Sequence, residues 1–248
     1  MLKNRIIPIL TFNGLGLVKT KVFKNPRMVG NPVQTARVYN SRGVDELIFL
    51  DIYATKQSRK INLSLVKEVI KECYMPVSIG GGIQTIDEIN DLLKIGADKV
   101  VIKSKALTDK KFLRDAVNFF GSQCICISVD VIFINENYLI HNDLGLNLPL
   151  EEFIKEMSSI NVGEFLVNSV DNDGVMNGFD IDLINKVEKM TTIPIVAAGG
   201  GGKPEHYSTL LNKTSINAVA SSSIFHFTQY TPLDLKNELK KFNFPVRT

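Results

Sequence analysis

The chain alternates short apolar strands with helical segments, and this alternation limits the folds open to it. The predicted strands are nearly continuously apolar, as strands buried on both faces of a parallel sheet are. Eight such strands are predicted, at 6–12, 46–52, 76–79, 99–102, 124–130, 164–168, 194–198 and 218–221. With about 31 residues for each strand and its helix, the pattern predicts an α/β fold, a (β/α)8 TIM barrel.

The segments between the strands carry apolar residues at helical spacing. Leu63, Val66 and Ile70, for example, fall on one face of a helix. Four glycines that precede strands are predicted to end helices: Gly43, Gly96, Gly121 and Gly163. The alternative fold is a doubly wound open sheet, but the glycine-rich turn after the first strand, 13–16, lacks the G-x-G-x-x-G pattern that is typical of it.

The two halves of the chain resemble each other at an offset of 118 residues. Residues 46–50 recur at 164–168, residues 75–82 recur at 193–200, and Ser104 recurs as Ser222. A shared offset at three places indicates an internal repeat. We therefore expect one domain, 1–248, built from half-barrels at about 1–120 and 121–248.

Composition excludes several classes of function. The 29 basic and 26 acidic residues leave a net charge of only +3, and no basic cluster is interleaved with aromatic residues, so nucleic-acid binding is not expected. No apolar run approaches the length of a membrane span, and we expect a cytoplasmic protein. The 3 cysteines form no C-x-x-C pair, which argues against a disulfide framework or a zinc site.

Glycine and serine clusters follow the strands in both halves. Gly80, Gly81 and Gly82 follow the third strand and Ser104 the fourth, while 199–202 and 221–223 follow the seventh and eighth. Glycine lets the backbone approach an anion closely, and serine hydroxyls donate hydrogen bonds to it. One glycine triplet alone would indicate a tight turn. Two triplets at one offset predict two phosphate sites and a ligand with a phosphate at each end.

Carboxylates at strand ends are the candidates for acid–base chemistry. Asp51 ends the second strand, Asp130 ends the fifth, and Asp171 and Asp173 follow the sixth. The carboxyl ends of barrel strands face the active site, and a lone charge in an apolar strand is costly unless it is used or paired. Lys19, in the first loop, is a candidate partner for a phosphate or for Asp51 or Asp130.

The histidines suggest no metal site. His141, His206 and His226 are far apart in the sequence, and no carboxylate stands at ligand spacing from them. We interpret all three as solvated or structural and predict neither a metal nor a cofactor.

A charged residue begins or precedes four of the strands. Arg5, Glu46, Lys99 and Glu164 alternate in sign and are expected at the amino-terminal face of the barrel. That face generally serves stability, so the sequence by itself favours a ring of salt bridges. The other interpretation is a gate into the lumen of the barrel.

Several motifs together resemble the cyclase subunit of imidazole glycerol phosphate synthase, over essentially the whole chain. They are Phe49-Leu50-Asp51-Ile52, Gly80-Gly81-Gly82-Ile83, Asp171-Asn172-Asp173-Gly174, Ala198-Gly199-Gly200 and Ser223-Ile224-Phe225-His226-Phe227. In that family a glutaminase docks on the amino-terminal face of the barrel. Its ammonia crosses the barrel core and reacts with a substrate that carries two phosphates, giving imidazole glycerol phosphate and an aminoimidazole carboxamide ribotide.

The resemblance implies roles for individual residues. Arg5, Glu46, Lys99 and Glu164 match the ammonia gate, Asp98 matches a contact with the glutaminase, and Asp130 matches one of two catalytic aspartates. The phosphate-binding positions that it implies are Gly81, Gly82, Ser104, Asp173, Gly174, Gly200, Ser222 and Ser223.

Two positions depart from that family. Thr11 stands where the family has its first catalytic aspartate, and a hydroxyl has no useful pKa near neutrality. Lys103 stands where the family has asparagine. An intact gate with a lost acid resembles a subgroup from bacterial surface-glycan clusters, with further likeness at Lys19-Thr20 and at 23–26. Its members are thought to pass ammonia to a separate amidotransferase that amidinates an acetamido sugar.

Three hypotheses follow. The first is an ammonia-conducting barrel in a glutaminase complex that serves amidination of an O-antigen-type sugar, with a sugar amidotransferase as a further partner. The second is a genuine cyclase of histidine biosynthesis, with Asp130 helped by Asp51 or a water. The third is a non-catalytic scaffold that only activates the glutaminase.

Overall fold

Eight parallel strands form the barrel in a computed structural model that describes residues 2–247. In chain order they are β1 Arg5–Phe12, β4 Leu47–Asp51, β5 Val77–Gly80, β6 Lys99–Ile102, β7 Ile125–Ile134, β9 Glu164–Ser169, β10 Ile195–Ala198 and β11 Ala218–Ser221. Each pairs in parallel with its neighbour, and β11 pairs with β1 from Arg5↔Ala218 to Pro8↔Ser221. This closure confirms the (β/α)8 barrel and excludes the open sheet.

Three further strands were not predicted. β2 Leu17–Lys21 and β3 Lys24–Gly30 form a hairpin that follows β1, and β8 Asn137–Ile140 pairs antiparallel with the extended end of β7. Both hairpins stand at the carboxyl end of the barrel. The first turn gives no standard signal, because Val22 and Phe23 form it at positive φ, where glycine or asparagine is usual. The second turn is formed by Asn135 and Glu136 at positive φ.

Ten helices cover the barrel. They are α1 Pro32–Ser41, α2 Leu63–Lys71, α3 Ile86–Lys94, α4 Ser104–Thr108, α5 Lys110–Phe120, α6 Leu150–Ile160, α7 Ile181–Glu188, α8 Pro204–Lys213, α9 Ser223–Phe227 and α10 Pro232–Lys241 among residues 2–247. Thr85 starts α3 with a capping box to Glu88. The prediction for Gly163 is wrong: Asn161 is the left-handed residue that ends α6.

The strands bury two separate apolar layers. One lies between the sheet and the helices and includes Phe49, Phe153, Phe165 and Tyr207. The other fills the lumen with side chains from the opposite faces of the strands: Ile7, Ile48, Val101, Cys126, Leu166, Val196, Ala198, Ala218 and Ala220. The lumen is therefore lined mainly by small and branched apolar groups.

The 118-residue offset reappears in the elements. β5 and β10 are equivalent end to end, and the short helices α4 and α9 follow β6 and β11 in the same way. The glycine and serine clusters of the two halves therefore lie at corresponding places in the barrel. Within the described chain, no helix is long and apolar enough to cross a membrane.

Candidate functional site

A cavity of about 380 Å³ opens at the carboxyl ends of the strands. Most residues predicted from the sequence for the site line it: Thr11, Lys19, Asp51, Gly81, Gly82, Ser104, Asp130, Asp173, Gly174, Gly200, Ser222 and Ser223. Both hairpins contribute to its wall, the first through Phe23 and Lys24 and the second through His141. The topology of the barrel thus gathers side chains that are far apart in the sequence.

Asp130 lines this cavity, and both of its carboxylate oxygens have partners. Lys103 Nζ lies 2.6 Å from Oδ2, and the Asn168 side-chain amide donates to Oδ1 at 3.3 Å. Asp130 is only 7% exposed, so the nearby ammonium offsets the cost of keeping this carboxylate ionised.

Thr11, at the end of β1, is tied to the backbone. Its hydroxyl donates a hydrogen bond to the Val18 carbonyl on β2. The side chain therefore holds the first hairpin against the barrel, and its one proton is committed to that bond.

Lys19 forms a buried ion pair with Asp173, which also lines the cavity. Its ammonium lies 2.8 and 2.9 Å from the two carboxylate oxygens, and Lys19 is 4% exposed. Burial raises the pKa of Asp173 above its usual value, although Lys19 opposes that shift. The prediction that Lys19 lies in a loop is wrong, because it lies on β2, and among the acids considered its partner is Asp173, not Asp51 or Asp130.

Asp51 is held by Arg59, which was not among the predicted site residues. Two guanidinium nitrogens lie 2.5 and 2.7 Å from the carboxylate oxygens, and the backbone N–H groups of Tyr53 and Ala54 donate to Oδ1. This pattern is that of a carboxylate that organises the loop after β4, which limits its use as an acid or base. Asp171 likewise accepts a bond from the Phe133 backbone N–H.

The glycine loops have backbone shapes that other residues do not adopt easily. Gly81 has φ +124°, and a Cβ there would lie 2.4 Å from the Asp51 carbonyl oxygen. Gly200 has φ +112°, and a Cβ there would lie 2.0 Å from the Gly178 carbonyl oxygen. The hydroxyls of Ser222 and Ser223 are buried without a hydrogen-bond partner. Unpaired buried donors beside such a loop are suited to an anion.

The four charged residues at the opposite face form a closed ring, here called the charged ring: Arg5, Glu46, Lys99 and Glu164. Arg5 lies 2.8 Å from Glu46 and from Glu164, and Lys99 lies 3.4 and 2.8 Å from the same two carboxylates. Burial lowers the pKa of Arg5 and of Lys99, but Glu164 and Glu46 outweigh it, and both pKa values are raised. The ring stands at the amino-terminal end of the lumen.

Asp98 lies beside the charged ring, just before β6, and its carboxylate accepts a bond from the Val77 N–H at 2.8 Å. Its role in a protein interface stays a prediction.

The histidines fall in three places: His206 accepts a bond from the Gly202 N–H, His226 lies on α9, and His141 lines the cavity. His141 therefore lies at the site, although the sequence indicated only a solvated or structural role for it. Within residues 2–247, no three His, Cys, Asp or Glu side chains gather to hold a metal ion.

Comparison with known proteins decides the family. A family model described as "Histidine biosynthesis protein" matches residues 5–231. The chain belongs to the histidine biosynthesis protein family. The match covers every strand of the barrel, including both glycine loops and all four members of the charged ring.

Curated relatives of the histidine biosynthesis protein family match over the full chain. A protein of Staphylococcus saprophyticus, named imidazole glycerol phosphate synthase subunit HisF, is 38% identical over 252 residues, with 100% of both chains covered. A Campylobacter jejuni protein, named putative imidazole glycerol phosphate synthase subunit hisF2, is 42% identical over 249 residues, covering 100% of this chain and 99% of its own. The resemblance drawn from the sequence motifs is confirmed. The relatives' names fit the cyclase hypothesis better than the surface-glycan hypothesis.

Proposed function

We propose that this chain is the ammonia-accepting barrel subunit of a glutamine-dependent synthase of the imidazole glycerol phosphate synthase type. The observation that carries the proposal is the placement of three features along one axis: the charged ring, the apolar lumen and the acid-lined cavity with its glycine loops. A glutaminase would dock at the face that bears the charged ring and Asp98.

The lumen suits neutral ammonia and not ammonium. A charged group loses its hydration among apolar side chains such as Ile7, Ile48 and Leu166, and that loss is costly. Ammonia that passes the charged ring would leave its proton behind and enter the lumen uncharged. The four ion pairs close the entrance in this conformation, so a partner must loosen at least one of them.

The cavity at the other end suits a ligand with a phosphate at each end. One glycine loop follows β5 and the other follows β10, and each is followed one strand later by a serine that begins or precedes a short helix. Backbone N–H groups and Ser104 would hold one phosphate, and backbone N–H groups with the Ser222 and Ser223 hydroxyls would hold the other. The middle of the ligand would then lie over Asp130 and Thr11.

The first candidate acceptor is the bis-phosphate ribulosyl substrate of the cyclase reaction. The names of the curated relatives support it, and the resemblance to the cyclase family implies that Asp130 takes part in the acid–base chemistry. This is the cyclase hypothesis of histidine biosynthesis.

The second candidate is an acetamido sugar, amidinated by a separate amidotransferase that receives ammonia from this barrel. A specific observation favours it: the Thr11 hydroxyl is bonded to the Val18 carbonyl, and Asp130 is paired with Lys103. The pair of free carboxylates that the resemblance leads us to expect of a cyclase is therefore absent among the described residues of this cavity.

A direct assay separates the two acceptors. The purified chain is supplied with ammonium salt and the bis-phosphate ribulosyl substrate, and imidazole glycerol phosphate is measured. Turnover of about 1 s⁻¹ or faster, within the range common for enzymes, supports the cyclase. Absence of product, together with a gain of turnover in Thr11→Asp, supports the sugar acceptor. Thr11→Ser, which restores no carboxylate, is the matched control.

A charge reversal tests conduction against the scaffold hypothesis. Lys99→Glu removes two ion pairs of the charged ring and places like charges side by side. In a conduit, this variant still stimulates the glutaminase but transfers less of its nitrogen to the acceptor. If nitrogen transfer and glutaminase stimulation stay equal to those of the unchanged chain, the barrel is a scaffold and not a conduit.

A further inference from the structure

His141 lies beside Asp130 on the second hairpin. Its backbone N–H donates to the Asp130 carbonyl at 2.8 Å, which fixes the two residues opposite each other where β7 and β8 meet. The Phe23 ring contacts both His141, at 5.4 Å between ring centroids, and Lys103, whose Nζ lies 5.8 Å from the centroid. Lys103, Asp130 and His141 therefore form one packed group in the wall of the cavity.

The imidazole of this group has an unmet hydrogen-bonding need. His141 Nδ1 is buried and has no hydrogen-bond partner among residues 2–247, which is costly for a polar atom. The charges that face the ring come from four segments: Lys103 after β6, Asp130 on β7, Asp143 in the loop after β8, and Lys56 in the loop after β4. Burial and then Lys103 lower the pKa of His141, against the opposing effect of Asp130 and Asp143. The ring is therefore neutral near pH 7.

The ion pair of Lys103 with Asp130 determines which group in this part of the cavity can accept a proton. Its ammonium lies 2.6 Å from one oxygen of Asp130, while the Asn168 amide occupies the other. An ammonium this close offsets the negative charge of the carboxylate, which therefore stabilises a neighbouring imidazolium less than a free carboxylate does. The neutral imidazole is left as the available base.

We propose that His141 is the proton-accepting group of this cavity, and that Lys103 keeps its imidazole neutral by engaging the Asp130 carboxylate. The ligand it serves is one whose N–H loses a proton as nitrogen adds to an electrophilic carbon. This deepens the proposed function and rests on it for the arrival of ammonia in the cavity. Lys103 is a positioning residue in this account.

The proton balance of that step is simple. The lone pair of ammonia forms the new N–C bond, the π pair of the carbon moves to its heteroatom, and the nitrogen becomes positively charged. One proton of that nitrogen moves to the His141 imidazole, leaving a neutral amine and an imidazolium. The imidazolium then returns the proton to the heteroatom or to water.

Nuclear magnetic resonance of the three histidines in the full chain tests the coupling without any substrate. In the unchanged chain, His141 should titrate below its ordinary value of 6.5. Lys103→Met should raise the proton affinity of His141 by about tenfold or more, because the freed Asp130 carboxylate then faces the imidazole. Asp130→Asn should lower the proton affinity of His141 below that in the unchanged chain. His206 and His226 serve as internal controls and should not move.

A matched variant makes the result specific. Lys56 also faces His141, but it is half-exposed and paired with Asp143, so Lys56→Met should shift the titration less than Lys103→Met does. Equal shifts in the two variants, or no shift in Lys103→Met, would overturn the role of Lys103. Unchanged His206 and His226 signals show that each variant has folded.

Chemical modification tests whether the imidazole is a reactive base. Diethyl pyrocarbonate acylates neutral imidazole, so at pH 6 His141 should react several-fold faster in the unchanged chain than in Lys103→Met. Peptide mass spectrometry assigns the site, with His141→Gln as the blank. Equal rates, or an unreactive His141, would refute the proposal. Neither experiment uses a glutaminase or an acceptor, so a failure here is distinct from a failure of the proposed function.

Discussion

Glu164 is the member of the charged ring whose replacement has the clearest consequence. It is 7% exposed and accepts from both Arg5 and Lys99 at 2.8 Å. Glu164→Gln keeps the size of the side chain but removes the charge that both cations face. Each cation then has only Glu46 as a carboxylate partner, at distances of 2.8 and 3.4 Å.

The magnitude follows from burial. Breaking a fully buried pair costs about 3–5 kcal/mol, but the Arg5 and Lys99 side chains are 21% and 20% exposed, and the glutamine oxygen still accepts one bond. We therefore expect a loss of about 2–3 kcal/mol. For a chain of this length, that corresponds to a fall in melting temperature of about 4–6 °C.

Thermal and urea unfolding of the purified chain measure this loss. Glu151→Gln is the control, because Glu151 forms an exposed pair with Lys186 and should change stability by less than about 0.5 kcal/mol. If Glu164→Gln is as stable as Glu151→Gln, the charged ring contributes nothing to closing the barrel. Its proposed role as a closed entrance would then lose its physical basis.

Three further perturbations test the cavity. Lys19→Met leaves Asp173 buried without its cation and should cost about 3 kcal/mol of unfolding free energy at pH 8. Because burial already raises the pKa of Asp173, the native carboxyl takes up a proton more readily than the unfolded one, and this loss should shrink as the pH falls toward 5. The exposed control Lys21→Met should show no such pH dependence. Gly200→Ala places a Cβ 2.0 Å from the Gly178 carbonyl oxygen and should weaken the binding of pyrophosphate at least tenfold, as measured by calorimetry. The control Gly145→Ala, at a glycine with open space around it, should leave that binding unchanged. Arg59→Met frees the buried Asp51 carboxylate and should lower the melting temperature by several degrees, more than exposed Arg37→Met does, as calorimetric scans can check.

The barrel was predictable because its determinants are local and repeated. Apolar strands buried on both faces, separated by helical spacing, leave few alternatives, and the 118-residue offset placed both glycine loops correctly. The first hairpin was missed because its turn uses Val22 and Phe23 in place of glycine or asparagine. The second turns at Asn135 and Glu136, where asparagine stands without the glycine that usually follows it. Turn residues in the sequence cannot reveal a hairpin whose turn is imposed by packing.

The partners within the cavity were harder to predict than its members. Asp51, Asp130 and Asp173 were all expected at strand ends, but the sequence does not specify that Arg59, Lys103 and Lys19 neutralise them one by one. Lys19 and Lys103 reach Asp173 and Asp130 from distant parts of the chain, so only the closed barrel brings these pairs together, whereas Arg59 reaches Asp51 within the loop after β4. His141 was missed because its chemistry depends on Lys103 and Phe23, which are far from it in the chain.

Isotope labelling follows nitrogen from glutamine to the acceptor. The chain is mixed with the proposed glutaminase partner, amide-labelled ¹⁵N-glutamine and an excess of unlabelled ammonium, and two acceptors are supplied in turn: the bis-phosphate ribulosyl substrate, and the acetamido sugar with its amidotransferase. If ammonia passes through the barrel, one acceptor gains mostly ¹⁵N, and Lys99→Glu shifts the product toward unlabelled nitrogen. Product that carries the isotope ratio of the bulk solution with the unchanged chain would contradict it.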